Sequence, residues 1–162
     1  MASDLKVTTS VSILGRKKDS ADLTTPVQPV RINRPFALTN GTGDDQANEI
    51  FADTRTLAAA SETLDLTSTL ANFAGTTIVY TALKGVWIFN RSTTASEDLV
   101  ISGNFGGVLG GTTPTITLKP GFGILLIGTL TGYTVTNTSA DQLKIDAGAA
   151  TISYDIALIG TV

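Results

Sequence analysis

Six carboxylates fall within residues 44–65: Asp44, Asp45, Glu49, Asp53, Glu62 and Asp65. Two of them facing each other across a sugar cleft would be the pair that glycoside hydrolysis needs. The rest of the catalytic inventory is thin. The chain has no histidine, so the usual general base is missing. It has no cysteine, which removes the thiol nucleophile and thiolate metal ligands. A Ser/Lys or carboxylate-pair mechanism is what this inventory leaves open. Asn40-Gly41-Thr42-Gly43-Asp44-Asp45 is a turn cluster, where aspartate ordinarily caps the backbone. It offers oxygen ligands of the kind calcium takes, but without the spacing of a calcium loop. Gly106-Gly107 and Gly110-Gly111 lack the following helix and the Lys-Ser/Thr pair of a phosphate loop. The expectation is a non-enzyme with no catalytic residues, no metal site and no cofactor.

The cations suggest contact rather than catalysis. Residues 1–35 carry six basic groups (Lys6, Arg16, Lys17, Lys18, Arg31, Arg34) against three acidic ones, a net of +3. Residues 36–162 carry five basic groups against eleven acidic ones, a net of −6. Such asymmetry implies that the two parts meet different neighbours, or each other in an oligomer. Arg55 follows Asp53 by two residues, so on a strand the two share a face. They pair there, or Arg55 reaches a neighbouring subunit. The candidate partner contacts are therefore Arg16, Lys17, Lys18, Arg31, Arg34 and Arg55. Three adjacent cations without interleaved aromatics are a poor nucleic-acid surface, and an acidic protein partner suits them better.

The elements that must position these residues read as strands. Threonine occupies 27 of 162 positions, charged residues are 15%, and mean hydropathy is +0.23. Threonine is β-branched and suits a pleated surface, so the outer faces are expected to be hydroxyl-covered. Leu5, Val7, Thr9, Val11 and Ile13 alternate with polar residues, a period-two strand pattern. Pro26, Pro29 and Pro35 then predict an extended connector that cannot sit inside a sheet. The segment 47–60 mixes helical and strand signals and reads as irregular β. Further strands are expected at 76–81, 83–90, 99–101, 116–118, 122–128, 133–136, 143–145 and 152–158. Val86-Trp87-Ile88-Phe89 and the 122–128 run look buried on both faces, which makes Trp87 a core residue. Residues 105–113 read as a glycine-rich loop.

Eight or nine short strands at intervals near ten residues predict an all-β fold, a two-sheet β-sandwich or jelly roll with an extended N-terminal arm. The expected division is 1–35, an arm of one strand plus a proline-spaced connector, and 36–162, the β-sandwich domain. No signal-peptide pattern opens the chain, and no run of about 18 apolar residues occurs, so no membrane partner is expected. The lack of cysteine fits synthesis in a reducing compartment.

From Gly41 onward the chain resembles a family of small tailed-bacteriophage virion proteins. The resemblance rests on Gly41-Thr42-Gly43-Asp44-Asp45-Gln46-Ala47-Asn48, Asp53-Thr54-Arg55-Thr56-Leu57-Ala58-Ala59 and Glu62-Thr63-Leu64-Asp65-Leu66. Leu83-Lys84, Lys119-Pro120-Gly121, Gly132-Tyr133-Thr134-Val135-Thr136 and Tyr154 to Gly160 extend it over about three quarters of the chain. It implies a structural component of a phage particle, made in the host cytoplasm and located in the virion. The expected role is a capsid decoration or cement protein that binds the major capsid protein and forms a homo-oligomer, a trimer foremost. The alternative is a tail or fibre component with a receptor- or glycan-binding β-sandwich.

Overall fold

A computed structural model describes residues 5–18, 27–105 and 115–162. The described chain is all-β, with twelve strands. β1 (Val7–Lys18) and β2 (Val27–Asn40) form an antiparallel ribbon, and β3 (Gln46–Ala47) adds to the end of β2 in parallel. β4 (Glu49–Ala58), β6 (Ala82–Asn90) and β12 (Thr151–Thr161) form the main sheet, with β12 in the middle. β9 (Gly123–Ile127) and β10 (Tyr133–Thr134) both pair with β6. The second sheet has the order β5–β11–β7–β8, from β5 (Ser61–Asp65), β11 (Gln142–Asp146), β7 (Leu99–Ser102) and β8 (Ile116–Leu118).

One core fills the space between the two sheets, as in a β-sandwich. The main sheet contributes Phe51, Leu57, Val86, Ile88, Ile152, Tyr154, Ile156 and Leu158; the second contributes Leu64, Leu99, Ile101, Leu118, Leu143 and Ile145. Alternation explains this directly: along β12, Ile152, Tyr154, Ile156 and Leu158 turn inward while Ser153, Asp155 and Ala157 turn outward. Tyr80, Phe105 and Val135 join this core from segments outside the strands.

Tyr80 and Tyr154 are buried with their hydroxyls satisfied, by the Leu158 carbonyl at 3.1 Å and Glu62 Oε1 at 2.6 Å. Burial first, and the neighbouring Glu49 or Glu62 second, pushes both phenols above their ordinary value. A raised phenol pKa favours folding below the unfolded value near 10 and loses that contribution as pH rises beyond it. A urea midpoint measured from pH 8 to 11.5 is therefore expected to fall above about pH 10. Replacing either tyrosine with phenylalanine should flatten that fall.

Three expectations need correction. The segment 27–35 is no connector: Pro29 and Pro35 lie inside β2, and the boundary at residue 35 cuts a continuous strand. The two prolines stand opposite Arg16 and Ser10, six residues apart and so equivalent in the ladder. Having no N–H, both must take positions whose amide would point away from β1. β2 tolerates this because, among the described residues, its other edge pairs only at Thr39 and Asn40. Secondly, 76–81 is not a strand but irregular chain held by an isolated bridge from Thr77 to Ala71. Conversely, 49–58 is a regular strand with ten residues in register with β12. Thirdly, β6 and β9 are not buried on both faces. Val86 and Ile88 enter the core, but Trp87 is 38% exposed and Phe122 and Leu125 also face outward. The 105–113 loop lies, beyond Phe105, outside the described residues.

Candidate assembly surface

β1 runs for 12 residues, about 40 Å of extended chain at roughly 3.3 Å per residue. Residues directly opposite in a ladder share a face. One ribbon face therefore carries Val7, Thr9, Val11 and Ile13 with Leu38, Phe36, Arg34, Ile32 and, opposite Gly15, Val30. The other carries Thr8, Ser10, Ser12, Leu14 and Arg16 with Ala37, Pro35, Asn33, Arg31 and Pro29. The first face is apolar but for Thr9 and Arg34; the second is hydroxyl-rich and basic.

The ribbon is seated at one end only. Leu38 packs with Ala47 and Ile159 in a small cluster of its own, flanked by Leu5 and Val7. Further out the same face opens to solvent, with Ile13 at 52% and Ile32 at 47% exposed, and Val11 and Val30 exposed as well. An isolated two-stranded ribbon is marginal in water, so this segment depends on its base and on whatever covers its apolar face.

The six candidate contact residues are not one patch. Arg16 and Arg31 are exposed on the polar ribbon face, while Arg34 is on the apolar face opposite Val11. The backbone of Lys17 and Lys18 pairs with Gln28 and Val27, but their side chains lie outside the described residues. Arg55 lies in a different sheet from this group. On edge strand β4 its Nε donates to Asp53 Oδ2 at 3.1 Å, its Nη1 donates to Glu62 Oε2, and its guanidinium lies 5.8 Å from the Phe51 ring centre. Tyr154 completes this network through its bond to Glu62. The Asp53–Arg55 pairing expected from their spacing is present, with Glu62 as a second partner that sequence distance concealed.

Asp65 and Glu49 have structural work. Asp65 Oδ1 accepts the Thr67 amide at 2.8 Å and hydroxyl at 2.7 Å, and hydrogen bonds from Ser68 and Thr67 hold its carboxyl below the usual range. Asn72 donates to Glu49. In the 41–45 turn, the buried Lys84 donates its Nζ to the Gly43 carbonyl at 2.6 Å, and Gln46 Oε1 accepts the Gly43 amide at 2.9 Å. An ammonium thus already occupies a carbonyl that a cation would want. Among the described residues no group of three or more carboxylates is placed to hold a metal, and no helix is long and apolar enough to cross a membrane.

The feature the sequence reading missed is the outer face of the main sheet. The register aligns Ala52, Ala157, Trp87 and Leu125 in one row across β4, β12, β6 and β9. The adjacent row is Ile50, Ile159, Gly85 and Ile127. Trp87 stacks on Phe89, with ring centres 6.3 Å apart and planes at 17°. Polar groups gather at one end of this face. Asp155 Oδ1 accepts from the Thr54 hydroxyl at 2.6 Å and Arg91 Nη1 at 3.0 Å, and these bonds, Thr54 first, hold its carboxyl below the usual range. An open depression of about 540 Å³ lies between Trp87 and this cluster. The signal was available: Trp87 and Phe89 share parity, opposite to Val86 and Ile88. A continuous apolar run hides that alternation.

No protein-family model, no curated protein and no solved structure matches this chain.

Proposed function

We propose that this protein is a structural subunit of a tailed-phage particle, a capsid decoration or cement protein that stabilises the shell through protein contacts. The observation that carries this reading is the ribbon. β1 and β2 contain five basic residues and no acidic one, and they project from a domain with a net charge of −6. A solvent-exposed apolar ribbon is a liability for a free protein and an asset for one that ends up covered. Its polar face, with Arg16 and Arg31 among hydroxyls, suits an acidic surface such as that of the major capsid protein. Many copies, assembled as trimers, would add weak contacts into firm attachment. The hydroxyl-rich, thiol-free chain suits a protein made in the host cytoplasm and later exposed on the virion.

The test is binding to undecorated capsids. Affinity is expected to fall as salt rises from 50 to about 500 mM, because the attraction is screened. Arg16→Ser with Arg31→Ser is expected to weaken it at least tenfold at low salt. Equal binding by that double variant would remove the basic face from the account.

A second reading is favoured by Trp87. An exposed, stacked indole beside Asp155, Thr54 and Arg91 is the kind of platform on which a sugar ring sits. It would suit a tail or fibre component with a glycan-binding β-sandwich. Glycan binding lost in Trp87→Ala, without any capsid binding by the parent protein, would put this reading first.

A further inference from the structure

We infer that the exposed part of the apolar ribbon face, Val11, Ile13, Val30 and Ile32, seats on the outer face of the main sheet of a second copy of this chain, over Trp87, Leu125, Ala52 and Ala157. The fold already contains this contact in miniature. At the ribbon base, Val7 and Leu38 cover Ile159, which belongs to the row beside Trp87 on the same sheet face. The rest of the ribbon face has the same aliphatic character and, among the described residues, nothing covers it. The next sheet row has the complementary character and is open. Within one chain the ribbon is seated at its base and both its outer face and the Trp87 row stay exposed, so a neighbouring copy offers the surface of matching chemistry.

Charge favours the same pairing. Between Val7 and Gly15 and their partners Val30 to Leu38, Arg34 is the one cation on the apolar ribbon face, and Asp155, bonded to Arg91 and Thr54 within its own chain, is the one acid on the outward side of β12. The ribbon strands have no acidic residue to repel an acidic domain. Reciprocal or cyclic exchange would cover one ribbon and one sheet face per subunit, removing both apolar surfaces from water at once. The edge of β2 is closed to strand addition over the stretch where Pro29 and Pro35 lack amides, so on that side of the ribbon the face is the route to a partner.

This inference supplies an interface for the oligomer in the proposed function. Its test uses purified full-length protein without capsids, so the two can fail separately. Facing sheets lie about 10 Å apart, beyond the reach of a disulfide, so a short bismaleimide is the suitable probe. The chain has no cysteine of its own. Mixing an Ile32→Cys chain with a Leu125→Cys chain is expected to yield a cross-link between those two positions. Light scattering at micromolar concentration is expected to give a multiple of 16.8 kDa. Ile13→Ser with Ile32→Ser is expected to give a single-chain mass with an unchanged strand spectrum, since neither side chain enters the core. A single-chain mass for the unaltered protein, an undiminished mass for the double serine variant, or links only between two Ile32→Cys chains would each overturn the inference.

Discussion

Gly160→Ala is expected to lower stability by about 3 kcal/mol or more, seen as a melting temperature roughly 6–12 °C lower for a domain of this size. Gly160 lies in the central strand β12, where the register against β6 shifts between Ile159 and Gly160. A methyl group at this position would collide with the Ala82 carbonyl oxygen, and it would stand 2.9 Å from Tyr80 Cδ1 and 3.1 Å from Leu83 Cδ2. Backbone on one side and a fully buried ring on the other leave no flexible group to yield. The shift at this point also has consequences further along. On the β6 side the irregularity falls at Lys84, whose ammonium reaches Gly43, while Ile159 turns outward to the ribbon base. Loss of ribbon seating is therefore expected with the loss of stability, detectable as faster amide exchange in β1 and β2 than in β11. A fall below about 1 kcal/mol would mean that β12 can slide past the clash, and the bulge would not be a fixed feature.

Glu62→Ala is expected to cost about 2–3 kcal/mol, measured by urea unfolding at pH 7. Glu62 is the shared partner of Arg55 and Tyr154. Removing it leaves a buried phenol without an acceptor and a half-buried guanidinium with Asp53 alone. The value is placed below that of a fully buried ion pair because the Arg55 and Glu62 side chains keep 31% and 21% of their exposure. Glu62→Gln keeps an acceptor for Tyr154 and is expected to cost about half as much. The double variant with Arg55→Ala should cost less than the two single losses added, since they share one interaction. Additive losses would mean that Arg55 works through Phe51 and Asp53 and not through Glu62.

Both effects bear on assembly. The Arg55 network fixes the edge strand β4 against β12 and β5, and β4 carries Ile50 and Ala52 on the outer face. A loosened β4 would disturb one end of the proposed docking row. Mild loss of self-association is thus expected in Glu62→Ala even where the fold persists, whereas the serine variants of the ribbon act on association with little cost to folding.

Alternation was sufficient to place β11, β12 and β1 as far as Ile13, because a half-buried strand writes its two faces into successive residues; Gly15 and the Arg16-Lys17-Lys18 cluster look like a stop but continue β1 to Lys18. It also gave the all-β class and the inward set Ile152, Tyr154, Ile156 and Leu158. The spacing of Asp53 and Arg55 was enough to pair them. Three matters lay beyond local pattern. Whether Pro29 and Pro35 interrupt a strand depends on how many partners that strand has, and among the described residues β2 has one over that length. Whether Trp87 is core or surface depends on which side of the sheet another layer covers, and the second sheet covers only one. Glu62 joins Arg55 and Tyr154 across 7 and 92 positions of sequence, a meeting that only strand pairing creates. Composition and period thus decided what each strand is made of and which side of it is apolar. Tertiary structure decided which apolar sides find cover within the chain, and it left two, the ribbon face and the outer sheet face, without it among the described residues.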